Sequence, residues 1–238
     1  EGIEPGTMAY YRVRMDGAAD GPTGTFQTLP VASVPFDFLV YGDTRSDHAT
    51  HAEVVASMMQ HPALFALNSG DMVADGEIDE LWTTFFEIEA PLLSQVPMFG
   101  VPGNHEETGA LSMPETYLRA MVPPDDAEAE TYYSFDVSNM HVIALDGHDF
   151  VLPEIFCVDI VYDWGYCFDE QQMSWLQADL AAAGANPMID HVVVMMHIGP
   201  YSSKPGRTGS AQLRVLLNDF AANKVKLIVS GHDHYYEH

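Results

Sequence analysis

The chain has 238 residues, 47% of them apolar, and no apolar run approaches the ~20 residues of a membrane span. Its 35 Asp and Glu against 9 Lys and Arg give a net charge of −26. That balance argues against nucleic acid or an anionic membrane surface as a partner, since both are bound through basic patches. The charge reads as a strongly solvated surface, or as adaptation to high salt, which would screen the self-repulsion. An anionic substrate would need a local positive centre, which points toward metal ions. The oligomeric state is left open. The chain opens without Met, on Glu1-Gly2-Ile3, and is expected to come from a larger precursor, so a missing signal peptide says nothing about export.

Residues 7–15 alternate and are aromatic, as in a strand with one buried face; 16–24 carry turn chemistry and 25–28 form a second short strand. Two strands make no stable sheet alone. We therefore expect residues 1–30 to be the last strands of a β-sandwich whose earlier strands are missing, with 31–35 a Pro-bounded linker. From residue 36 the pattern becomes strand, loop, helix. Strands are predicted at 36–41, 64–68, 97–101, 132–137, 141–145, 191–196 and 225–229. Helices are predicted at 50–60, 78–88, 114–121, 170–183 and 209–222. Ser138-Asn139 reads as a hairpin turn. Strands alternating with helices imply an α/β layered domain, and near-continuous apolar strands imply sheets covered on both faces. The chain stops soon after the last strand, so this domain, 36–238, is expected to be truncated at its C-terminus.

Five of these strands end in polar residues at the same relative place. They deliver Gly42-Asp43, Gly70-Asp71, Gly103-Asn104-His105-Glu106, His197 and Gly231-His232-Asp233-His234. In open α/β sheets ligands bind beyond the carboxyl ends of the strands, so these groups can meet on one rim. Imidazole with carboxylate suits zinc, iron or manganese, and one carboxylate can bridge two ions. Any one of these residues alone would pass for an ordinary loop residue or a core histidine. Their recurrence at five strand ends is what carries chemical meaning.

In that order the motifs resemble the signature of the calcineurin-like metallophosphoesterases, over residues 36 to 238. Tyr10-Tyr11-Arg12-Val13 and Phe26-Gln27-Thr28-Leu29-Pro30 are similar to the end of the fibronectin-like domain that precedes the catalytic domain of purple acid phosphatases. The resemblance implies a four-layer αββα sandwich and a dinuclear site. Asp71 would bridge two ions (Fe, Mn or Zn). Asn104, His197 and His232 would complete one ion, and Asp43 and His234 would bind the other. His105 would stay off the metals and face the substrate, protonating the leaving alkoxide. Glu106 would orient His105 or merely start a helix. Asp233 would bond nearby backbone.

Two departures stand out. Where the family commonly has His two residues after the first Asp, this chain has Arg45; where purple acid phosphatases have Tyr, it has Ala74. Loss of that Tyr predicts no purple colour. Arg45 is a candidate to grip phosphate in two places, and His48 and His51 are candidates to complete the Asp43 side. The expected activity is phosphomonoester hydrolysis by a metal-bound hydroxide on a small phosphorylated substrate, in a secreted or periplasmic protein. Alternatives are a phosphodiesterase or nucleotide hydrolase, and a metal-poor binding module. Residues 146–168 and 201–207 are expected to cap the site, with Cys157 and Cys167 pairing as a disulfide or standing as two free thiols.

Overall fold

The computed structural model describes residues 2–14, 21–106, 113–124, 131–147, 170–207, 209–234 and 236–237. The reading of Cys157 and Cys167, and most of the expected 146–168 cap, lie outside the described residues. Strands β1 (Met8–Arg12) and β2 (Thr23–Gln27) pair antiparallel as a sheet of their own. This ribbon leans on the rest of the chain: the Thr25 N–H and the Tyr11 hydroxyl both donate to the Ser94 carbonyl, at 3.1 and 3.3 Å. The segment expected to be a linker is also tied down. The Ser138 N–H donates to Pro30 O at 2.6 Å, and the Ser138 hydroxyl exchanges bonds with the backbone of Val34.

Two sheets follow. The first is parallel, β3 (Phe38–Tyr41), β4 (Phe65–Asn68) and β5 (Met98–Gly100) in that order. The second runs β6 (Tyr133–Val137), β7 (Met140–Ala144), β8 (His191–Met195), β9 (Val225–Val229). Its β6–β7 pair is antiparallel and turns at Ser138-Asn139; the other pairs are parallel. The two-residue period of a strand explains how the sheets stack. Val193 and Met195 of β8 point between the sheets, with Phe65, Leu67, Val142 and Ala144. Val192, Val194 and Met196 point the other way, under helices α4 (Glu170–Ala185) and α5 (Ala211–Ala222). Phe65 stacks on Phe38 at 5.4 Å and meets Phe135 of the other sheet edge-on at 5.8 Å.

Helices α1 (His48–Met58), α2 (Asp79–Leu93) and α3 (Glu115–Ala120) belong to the first sheet's side, with two further apolar clusters beneath them. The layers are therefore αββα, as expected. Helix α1 starts two residues earlier than its periodicity predicts because Asp47 caps it, accepting the Ala49 and Thr50 N–H groups at 3.1 Å. Helix α2 runs past residue 88 because Leu92 is buried against Val55 and Met58 of α1. No helix of the described residues is long and apolar enough to cross a membrane.

Because β3, β4, β5, β8 and β9 are parallel within their sheets, each sheet delivers its chain turns to one rim. The two rims are stitched together. His197, after β8, donates from Nδ1 to the Ser69 carbonyl after β4 at 2.7 Å, and the His232 N–H donates to the Asp43 carboxylate at 3.0 Å.

Candidate metal centre

The turns that present the polar residues are left-handed. Asp43, Asp71, His232 and His234 have φ of 55°, 56°, 73° and 57°. Non-glycine residues adopt this region rarely, Asp and His more readily than most, and such conformations gather at functional sites. Two glycines make room for the carboxylates. A Cβ on Gly103 would stand 2.4 Å from Asp71 Oδ1, and one on Gly231 would stand 2.4 Å from Asp43 Oδ2.

Glu106 holds these turns from below. It is fully buried and accepts four backbone N–H groups: Asp71 at 2.8 Å and Gly103 at 2.6 Å on Oε2, Met72 at 2.8 Å and Val73 at 3.0 Å on Oε1. Burial, then the charge of Asp71, pushes its carboxyl up to about 7, against the pull of those donors. This corrects the sequence expectation that Glu106 orients His105. The His105 ring instead bonds the Ala74 carbonyl through Nδ1 at 3.0 Å, and its backbone N–H donates to Asp71 Oδ1 at 3.1 Å. The residue that replaces the family's Tyr thus acts through its backbone.

Above Glu106, atoms that accept or coordinate crowd together. With His197 Nδ1 donating to Ser69 O, the lone pair of the neutral ring is on Nε2. That atom lies 3.4 Å from Asp71 Oδ1 and 3.2 Å from His232 Nδ1, which is itself 2.9 Å from Asn104 Oδ1. On the other side His234 Nε2 is 3.4 Å from Asp43 Oδ1, and Asp43, Asp71 and His234 present ligand atoms within 4.8 Å of one another. Arg45 Nε donates to Asp71 Oδ2 at 3.0 Å.

The electrostatics follow the packing. Burial alone would raise the Asp71 carboxyl, but the hydrogen bond and charge of His197 and the approach of His105 hold it well below the usual range. Burial would lower His197, but Asp71 raises it on balance. Burial also pushes Asp43 up; His197 opposes this and Asp71 adds to it. Burial, then the charges of His197 and Arg207, pushes His232 down to about 3. A cation among Asp71, Asn104, His197 and His232 would be held by the neutral imidazoles and the ionised carboxylate, in competition with protons. The mixed imidazole, carboxylate and amide donors fit a borderline transition ion.

The two histidines expected to supplement the Asp43 side are elsewhere. His51 is buried between α1 and α2, its Nε2 2.7 Å from Glu89 Oε1 and its ring stacked on Phe85. His48 is exposed at the first residue of α1. Asp233 lies with Oδ1 4.0 Å from Arg207 Nε, while Lys204 Nζ donates to the Asp233 carbonyl at 3.1 Å. In a chain with 9 basic residues, two of them thus reach the site rim from the 201–207 segment. The Ser69 and Ala74 carbonyls, which orient His197 and His105, have no side-chain signature by which sequence could reveal them.

A model of the calcineurin-like phosphoesterase family matches residues 36–236. The chain belongs to this family. It is 27% identical over 244 residues to purple acid phosphatase 22 of Arabidopsis thaliana, covering 99% of this chain and 51% of that protein. It is 28% identical over 265 residues to an uncharacterized protein of Mycobacterium tuberculosis, covering 99% and 49%. The chain thus spans about half the length of the curated relatives it matches. In fold it is similar to purple acid phosphatase PPD1 of yellow lupin, with a TM-score of 0.67 at 15% identity over 98% of this chain and 44% of that one. It is also similar to GAP50 of Plasmodium, with a TM-score of 0.56 at 19% identity over 82% of this chain and 65% of that one. The calcineurin-like phosphoesterases are metal-dependent, and the acceptor cluster above Glu106 is where this member has the donors for an ion.

Proposed function

We propose that this chain is the catalytic portion of a metal-dependent phosphoric ester hydrolase acting on phosphomonoesters. The supporting observation is the convergence of Asp71 Oδ1, Asn104 Oδ1, His197 Nε2 and His232 Nδ1 beside His105. In this reading residues 36–238 are the catalytic domain, and 1–30 close a preceding β domain joined through 31–35. Asp71 is shared by two cation positions (Fe, Mn or Zn). Asn104, His197 and His232 complete one, and Asp43 and His234 the other. Bound there, such ions supply ionised water at neutral pH and neutralise phosphoryl oxygens.

The chain's own residues do the rest. His105 has Nδ1 committed to Ala74, which leaves Nε2 to protonate the leaving alkoxide. Glu106 acts on the reaction only by fixing the turns that carry Asp71 and Asn104. Arg45 offers its guanidinium to a phosphoryl oxygen. Lys204 and Arg207 lend positive charge to the rim of a chain that otherwise repels anions. We also place the protein outside the cytoplasm, secreted or periplasmic, on its likeness to purple acid phosphatases.

The test is bound metal per chain together with hydrolysis of an aryl phosphate in added manganese or zinc. His105→Ala should lower turnover by roughly 10²–10⁴-fold with metal content unchanged. A chain that holds less than one tight ion and is inert sinks the proposal. Preference for diesters in the same assay would move it to a phosphodiesterase or nucleotide hydrolase. One observation favours a non-catalytic binding module instead: the Arg45–Asp71 pair places a fixed cation where metal is expected. The fold of GAP50, described as an anchor in the inner membrane complex, shows that this architecture alone does not decide between the two.

A further inference from the structure

Arg45 is bound to Asp71 through both its backbone and its side chain. Its Nε donates to Asp71 Oδ2 at 3.0 Å, its backbone N–H donates to the Asp71 carbonyl at 3.2 Å, and Nη1 reaches Ser46 Oγ at 3.2 Å. The ion pair is mostly withdrawn from water, with side-chain exposures of 20% and 1%. The two oxygens of Asp71 are therefore divided. Oδ1 faces His197 Nε2 and accepts the His105 N–H, and Oδ2 belongs to the guanidinium.

On the far side, both oxygens of Asp43 lie 3.0 Å from the His232 N–H, so Asp43 too is partly committed. His234, the third donor there, is 42% exposed. An ion among Asp43, Asp71 and His234 must take Oδ2 from Arg45 or share Oδ1 with the guanidinium still in place. Either way it shares one carboxylate with a fixed monocation, and poorly screened like charges at this range repel strongly. An ion around Asn104, His197 and His232 shares the same carboxylate, but through Oδ1, the oxygen that Arg45 does not bond, so it need not displace the guanidinium.

We propose that Arg45 is a built-in competitor for the second cation. In the resting chain the guanidinium holds Asp71 Oδ2, so the Asn104–His197–His232 side loads first and tightly. The Asp43–His234 side takes an ion only as Arg45 gives up its pair. The inference rests on the metal-centre reading above and adds an order and an asymmetry to it. It also times the contact of Arg45 with substrate: the guanidinium becomes available to a phosphate only when the second ion arrives.

The test is titration of metal-free protein with Mn²⁺, followed by calorimetry and by electron paramagnetic resonance. Wild type should show a tight first step and a second step at least ~10-fold weaker, which is the order of one charge-assisted hydrogen bond. Its spectrum should stay that of an isolated ion to one equivalent and become spin-coupled only in excess. Arg45→Ala should tighten the second step by about 10-fold or more and the first by clearly less. Arg45→Gln, which keeps the shape and removes the charge, should do the same and covers the case in which the alanine variant does not fold. A second step unchanged in both variants, or both steps shifted equally, overturns the proposal. Absence of any Mn²⁺ binding in all three proteins would bring down the metal-centre reading itself, a result distinct from failure of the Arg45 argument.

Discussion

Replacing Glu106 by Gln separates two views of the residue beside His105. Each carboxylate oxygen accepts two backbone N–H groups, Asp71 and Gly103 on one, Met72 and Val73 on the other. Whichever oxygen becomes the amide NH₂, two buried N–H donors will face another donor. Hydrogen bonds to a charged group contribute about 1.5–3 kcal/mol each, and a stranded buried donor costs a similar amount. Two losses give roughly 3–5 kcal/mol once some relaxation is allowed. The carboxyl is raised to about 7, so part of the population is already protonated near neutrality and the lower half of that range is the better expectation there.

Urea unfolding of metal-free protein should therefore shift its midpoint by about 1–2 M, with the slope unchanged. Metal-free protein matters, because a bound ion would add stability by mass action. Metal affinity should also fall, since the turns that carry Asp71 and Asn104 lose their common anchor. If Glu106 worked instead through His105, the variant would unfold like wild type, bind metal normally and lose only turnover. That outcome refutes the reasoning.

His141, buried against α4, is held between Asp136 at 2.6 Å and Asp179 at 2.8 Å. Burial would lower its pKa, but the two carboxylates raise it overall. A raised histidine contributes stability that is full below its unfolded pKa of about 6.5 and is lost as pH rises through the folded value. Urea midpoints measured from acid to mildly alkaline pH should fall across that window, and Asp179→Asn should flatten the slope. His51→Ala strands Glu89, whose side chain is 0% exposed, and should destabilise by roughly 3–5 kcal/mol. Metal content should be unchanged, and loss of an ion would restore His51 as a ligand.

The sandwich was readable because its strands are near-continuously apolar while its helices mix apolar and polar faces, a contrast that survives without any contact being known. Asp43, Asp71, Asn104, His197, His232 and His234 were readable for a related reason: each follows such a strand, so parallel pairing carries it to the common rim. The misreadings arose where a residue's partner is set by three-dimensional packing. His51 sits three residues into α1 and looks like a surface histidine, yet that helical phase turns it toward Glu89 of α2. Glu106 adjoins His105 in the chain, but the turn at 104–106 directs neighbouring side chains apart and sends the carboxylate under the backbone. Ser69 and Ala74 contribute carbonyls, which every residue has. Arg45 stood out as a departure from a pattern, but only its distance to Asp71 Oδ2 shows what it does.

The rim gathers several unfavourable features that a bound cation would offset. Four of its residues hold left-handed φ angles, each costing on the order of 1–3 kcal/mol unless surrounding structure imposes it. A buried glutamate sits under a buried aspartate, and the charge of each opposes that of the other. The Asp71 carboxylate, the Asn104 amide and two imidazoles converge where little water can reach them. A fold selected for stability alone would replace such a cluster with apolar side chains at little loss or some gain. The metal-free chain lowers the strain in part, with Arg45 on one oxygen of Asp71 and His197 on the other. Those two contacts lie on opposite sides of one carboxylate, where the two cation positions would be. In the reading proposed above, His197 Nε2 and the Arg45 guanidinium thus face the two oxygens of Asp71 that two cation positions would use. An imidazole can turn its lone pair to an ion where it stands, whereas the guanidinium is a tethered cation and must be moved aside.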